Sequence, residues 1–120
     1  MATKRFAANN ASKKMLEAQG YTCGVVEQTI NTGKMVFKRD LFGFVDLVCL
    51  SPSKGLLFVQ STGGGNLAAR VSKTRENPIH AIALAAGVRI QIHDWVRRAN
   101  KKERECRVLE ITAANERPPA

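Results

Sequence analysis

Cysteine is scarce in this chain: Cys23, Cys49 and Cys106 are odd in number and far apart in 120 residues. There is no Cys-x-x-Cys pair, and His80 and His93 are not spaced to complete a zinc site, so neither a disulfide framework nor a zinc ribbon is expected. Cys23 and Cys49 fall in apolar, strand-like runs and read as reduced core thiols. Long apolar runs are also missing. The longest, residues 56–59 and 81–88, fall far short of the ~20 residues a membrane span needs. Met1 to Phe6 leads into polar residues rather than an apolar stretch, so no secretory signal is expected and the cytoplasm is the expected compartment. Acid is in short supply: 10 Asp and Glu stand against 19 Lys and Arg, a formal net charge of +9. Such an excess on one small domain attracts polyanions, nucleic acid first among them. The other reading of the charge is plain solubility. No long basic amphipathic helix is present, so a membrane surface is not the expected partner.

What remains is ordinary globular material: 44% hydrophobic and 24% charged residues, enough for one domain with its own core. Residues 1–9 read as a flexible basic arm, 10–112 as a single domain and 113–120 as a frayed tail. Asn10 or Ser12 can cap a helix to about Gln19, which Gly20 ends. A strand is expected over 21–30, followed by the turn Asn31-Thr32-Gly33-Lys34, with residues 35–39 extending a hairpin. Strands over 44–50 and 56–61 flank the tight turn at 51–55. Asn66 can cap a helix over 67–76, and Asn77-Pro78 breaks it and opens another over 79–86. Residues 88–95 alternate as a strand, a basic loop follows, and 105–112 is the last strand. The order α-β-β-β-α-α-β-β predicts an α/β fold, a mixed β-sheet flanked by helices, in which the strand after the helices can pair parallel to an earlier one.

Two polar residues stand inside otherwise apolar strands. By strand alternation Asp46 shares a face with Phe44 and Val48, Gln60 with Phe58 and Thr62, and Glu27 with Cys23 and Val25. A lone buried carboxylate costs several kcal/mol unless it is paired or bound to a cation. One solution is a divalent metal held by Asp46 and Gln60 on neighbouring strands. The other is that Asp46 caps a helix or pairs with Arg39, Arg70 or another cation, with Gln60 bonded to backbone.

The stretch Asp40-Leu41-Phe42-Gly43-Phe44-Val45-Asp46-Leu47-Val48, followed by Gly55-Leu56-Leu57-Phe58-Val59-Gln60-Ser61-Thr62, resembles the core of the PD-(D/E)XK nucleases. Within them it is similar to small phage and archaeal Holliday-junction-resolvase-like proteins. The resemblance covers residues 10–95. Asp46 matches the aspartate of the family pattern, and Gln60-Ser61-Thr62 falls where the acid-x-lysine triplet belongs. The chain departs from the pattern by carrying Gln60 for the second acid and Thr62 for the lysine. The resemblance implies a restriction-endonuclease-like fold and Mg²⁺- or Mn²⁺-dependent hydrolysis of DNA, branched DNA included, by a homodimer. It implies a metal site of Asp46, Gln60, the Ser61 backbone carbonyl and Glu27. Catalytic positions would be Asp46, Gln60, Thr62 and Glu27, with Lys73 in place of the missing lysine. The alternative is a non-catalytic DNA-binding protein on a degenerate nuclease fold.

Arg70 and Lys73, three apart on one helix, read either as phosphate clamps or as solvated charges. Arg97, Arg98, Lys101 and Lys102 on the basic loop are expected to contact DNA phosphates, or simply to keep the protein soluble. Gly63-Gly64-Gly65 lacks the Gly-Lys-Ser/Thr ending of a nucleotide loop and reads as a flap beside the site. Trp95 is either a base-stacking residue or core.

Overall fold

The computed structural model describes residues 7–97 and 102–113. Helix α1 (Ala8–Ala18) is followed by strand β1 (Thr22–Val25), the hairpin strands β2 (Gln28–Asn31) and β3 (Val36–Arg39), and then β4 (Leu47–Ser51) and β5 (Gly55–Gly63). Helices α2 (Leu67–Glu76) and α3 (Ile79–Ala85) lead to β6 (Arg89–Arg97) and β7 (Arg104–Ile111). One five-stranded sheet runs β1-β4-β5-β6-β7, and β2-β3 forms a separate two-stranded sheet. Every neighbouring pair is antiparallel except β5 and β6, which are parallel and joined through α2 and α3. The fold is thus mixed α/β with a mixed sheet, as expected, but five strands rather than the expected three precede α2. No helix among the described residues is long and apolar enough to cross a membrane.

Alternation along the strands feeds two cores, one on each face of the sheet. Leu47, Cys49, Leu57 and Val59 pack with Cys23, Tyr21 and Leu16, the last from α1. Ile90, Ile92 and Ile111 pack with Phe44, Val45 and Ala83, the last from α3. Each such buried aliphatic side chain contributes about 1.5–3 kcal/mol relative to exposure. The result is three layers: α1, the sheet, and α2 with α3.

The local signals act in several different ways. Gly20 ends α1 with φ +96° and donates to Glu17 O at 3.1 Å, a backbone shape that favours glycine. The helix begins at Ala8 with Ala7 at its N-cap, so neither Asn10 nor Ser12 caps it; Ser12 is buried within it. Asn66 stands at the start of α2, yet its side chain makes no cap and donates to Gly63 O instead. Asn77 stands one residue before the N-cap of α3, which is Pro78 rather than Asn77, and its Oδ1 accepts from Ile79 N at 3.0 Å.

Two strand expectations change. The strand read over 21–30 divides between β1 and β2, which belong to different sheets. The strand read over 44–50 begins only at Leu47, because residues 41–45 form a tight turn in which Val45 N donates to Leu41 O at 2.9 Å. Residues 1–6 of the expected arm, Arg98 and Lys101 of the basic loop, and residues 114–120 of the expected tail lie outside the described residues.

Candidate metal centre

The turn before β4 decides where Asp46 points. Leu47 is in register with Val59, and Asp46 N also donates to Val59 O at 2.9 Å. Two residues of one strand thus face one of the other, in the manner of a β-bulge, and side-chain parity slips by one. Asp46 therefore does not share a face with Gln60. It joins Ser61, whose backbone N–H donates to Asp46 Oδ2 at 2.9 Å.

Two more carboxylates meet Asp46 there. Glu27 follows β1 and precedes β2, and Asp40 follows β3, so the two roots of the hairpin each carry an acid to the main sheet. One oxygen of each of Glu27, Asp40 and Asp46 lies within 4.8 Å of the others. They line a cavity of about 470 Å³, walled further by the first residues of α1, by Val25 and Ser61, and by two cations, Lys38 and Arg70. Lys38 Nζ is 3.1 Å from Glu27 Oε1. The Asp46 carboxyl is pushed up to about 8, first by burial, then by its hydrogen bond with Asp40, with the charges of Asp40 and Glu27 adding to the rise. The Ser61 N–H opposes the rise without cancelling it. No arginine pairs with Asp46 among the described ion pairs, so the ion-pair solution to its burial is not the one adopted.

The donor set fits a hard divalent cation: three carboxylates, an open cavity for water and phosphate, and a carboxyl that is costly to ionise without positive charge beside it. Asp46 and Glu27 are among the residues expected from the sequence. Asp40 was missed, although it opens the stretch that carries the nuclease resemblance.

The remaining expected site residues fall elsewhere. Gln60 has the parity of Phe58, on the side of the Phe44 core; its Nε2 donates to Phe44 O at 2.9 Å and its Oε1 is buried without a hydrogen-bond partner. It does not line the cavity. Thr62 is buried and also absent from the lining, as is exposed Lys73. Ser61 does line it, and its Oγ donates to Ser12 Oγ at 2.7 Å. Arg97 and Lys102 are exposed where β6 and β7 turn back on each other.

Behind Ser61 the sheet carries a polar network under α1. Ser12 Oγ accepts from Ser61 Oγ and from Trp95 Nε1 (2.9 Å), which leaves its own proton for His93 Nδ1 at 2.8 Å. His93 is then the Nε2–H tautomer, donating to Gln91 Oε1 at 2.9 Å. Gln91 donates to Glu110, which Arg89 also holds through two nitrogens. Burial lowers His93 to about 4, so it sits neutral. Trp95 is thereby tied into the interior by its ring N–H. On the other face Asp94, wholly buried, accepts from Gly65 N and pairs with Arg107. Its parity with Ile90 and Ile92 is the sequence signal that marks it as a buried acid.

No family of known proteins, no curated protein and no solved structure matches the chain.

Proposed function

We propose that the chain is a metal-dependent DNA endonuclease of the structure-selective, Holliday-junction-resolvase type, on a restriction-endonuclease-like domain working in the cytoplasm. One observation carries this reading: Glu27, Asp40 and Asp46, from three separate places in the chain, converge in one open cavity that also holds Lys38 and Arg70. Acids to hold a cation and cations to hold a phosphate are the two halves of a phosphodiester site. The net charge of +9 supports a polyanionic substrate.

In this reading Glu27, Asp40 and Asp46 hold Mg²⁺ or Mn²⁺. The bound ion supplies an acidified water and neutralises charge on the phosphate. Arg70, half-buried at the cavity wall, orients the scissile phosphate. Lys38, paired with Glu27, would stand beside that carboxylate where a phosphate could also meet its ammonium. It fills the part that Thr62, a neutral and buried side chain, cannot. The Ser61 N–H fixes one oxygen of Asp46 and so orients the carboxylate that would hold the ion. The Ser61 backbone carbonyl stays a candidate fourth ligand through the resemblance alone, as does the homodimer, which sedimentation of the free protein reads directly.

The test is incubation with four-way junctions and linear duplexes in Mg²⁺ or Mn²⁺. The wild type is expected to nick, and Asp46→Asn and Asp40→Asn each to lose on the order of a hundredfold in rate. Gln60→Ala is expected to act through stability rather than metal affinity. Equal cutting by wild type and both variants overturns the reading. Tight junction binding with no cutting establishes the alternative, a non-catalytic DNA-binding protein, which the neutral Thr62 at the lysine position favours.

A further inference from the structure

The hairpin β2–β3 stands as a sheet of its own, and nothing above gives it a task beyond carrying Glu27, Lys38 and Asp40 at its roots. Its outer end exposes apolar side chains in a row: Met35 is 61% exposed, Val36 64% and Phe37 37%. Its turn is well made. Thr32 N donates to Met35 O at 3.0 Å, Gly33 N donates to Asn31 Oδ1 at 2.9 Å, and Gly33 takes φ +85°. An ordered tip that keeps three consecutive apolar residues in water calls for a partner. Between Glu27 and Asp40 the chain carries Lys34, Lys38 and Arg39 and no acid, so the partner is anionic around an apolar centre.

We propose that the β2–β3 hairpin is a DNA wedge: Lys34 and Arg39 lie along the phosphates of a duplex arm while Met35 and Val36 press on the bases and open the stack. This rests on the DNA-endonuclease reading for its choice of partner. Duplex DNA meets both requirements at once, because phosphates flank an apolar stack that inserted side chains can open. A two-stranded ribbon fits the B-form major groove, about 12 Å wide, and is refused by the deep, narrow groove of duplex RNA. The four-residue strands set the tip about 13 Å from the carboxylates at the root. That is about four base steps at 3.4 Å each, which places the opened step about four nucleotides from the phosphate held in the cavity. Because both roots end in metal-site acids, docking the tip also fixes where the backbone enters the cavity.

The test uses duplexes and junction arms with 2-aminopurine at successive positions, titrated with full-length protein in EDTA so that no strand is cut. The wild type is expected to raise fluorescence at one or two adjacent positions. Met35→Ser/Val36→Ser, both solvent-exposed, is expected to keep its melting temperature and bind DNA within several-fold, yet to lose the fluorescence rise. Lys34→Gln is expected to keep the rise and to reduce the salt slope of binding by about 0.9. Incision mapped in Mg²⁺ is expected about four steps from the bright position. The wedge is overturned by an unchanged signal at every position, by a rise that survives in the double variant, or by an equal rise with duplex RNA. It is equally overturned if the double variant turns a dimer into a monomer while the DNA response is intact. A protein that opens the stack but never cuts upholds the wedge and sinks the nuclease, so the two readings fail separately.

Discussion

Asp46 Oδ2 accepts from Ser61 N, and two more acids stand beside the carboxyl, Asp40 among them hydrogen-bonded to it. Without a cation the folded protein bears the repulsion of that cluster; the unfolded chain, in water, does not. Replacing Asp46 with asparagine keeps the shape and removes one charge. The sign follows: a carboxyl held near 8 when folded, against 3.8 in the free side chain, takes stability away as pH rises between those values. In EDTA above pH ~8, Asp46→Asn is therefore expected to melt several degrees above the wild type. Added Mg²⁺ or Mn²⁺ is expected to raise the wild type and leave the variant unmoved. Calorimetric scans with and without the ion check this. A variant that melts lower than wild type in EDTA shows that Asp46 is stabilised as a carboxylate and removes the argument for an ion beside it.

At the scale of elements, β6 shows how much alternation alone can tell. Ile90, Ile92 and Asp94 face the α2–α3 side, and Arg89, Gln91 and His93 face α1, as strand parity requires. His93 is wholly buried beneath α1, low at about 4 when folded and 6.5 when free. Stability from keeping it neutral is complete above pH 6.5 and is lost as pH falls toward 4, about 3 kcal/mol over the window. Asp46 works in the opposite direction over the same range, so the two must be separated. Comparing Asp46→Asn with Asp46→Asn/His93→Gln by chemical denaturation between pH 4 and 6.5 does so; the acid-side loss is expected only where His93 is present. Strands whose neighbours are near in sequence were legible in the same way: the turn at 51–55 pairs β4 with β5, and Asn77-Pro78 separates α2 from α3. The break at Val26 and Glu27 was not, because local alternation says which side a residue faces but not which sheet the strand joins. Nor was the slip at Asp46. Phe44 and Val45 are as apolar in a buried turn as in a strand, and only the pairing with Val59 shows that parity changes there. That single slip exchanges Gln60 for Asp40 as the companion of Asp46.

At the scale of the whole molecule, the net charge of +9 includes cations in two different kinds of place. Lys38 and Arg70 line the cavity, Lys38 paired with Glu27, while Arg97 and Lys102 sit exposed beside the end where β6 and β7 pair at Arg97 and Arg104. In the proposed reading, charges of the second kind would contact backbone phosphates and carry no information about the reacting bond, so they would contribute to encounter and to uniform affinity. Charges of the first kind would act on the phosphate that reacts. Arg97→Ala and Lys102→Ala are each expected to weaken binding to linear and branched DNA alike, to lower the slope of log K against log salt by about 0.9, and to leave the rate at saturating DNA unchanged. Arg70→Ala is expected to lower the saturated rate with a smaller change in affinity, because its contact strengthens as charge develops on the phosphate. Binding titrations over a salt series, paired with single-turnover rates, separate the two. A flat salt response in the wild type removes the electrostatic account of DNA binding altogether. If Arg97→Ala lowers the saturated rate as much as Arg70→Ala does, the division between steering charges and a reacting site fails, and the cavity at Asp46 loses its claim to be where the strand is cut.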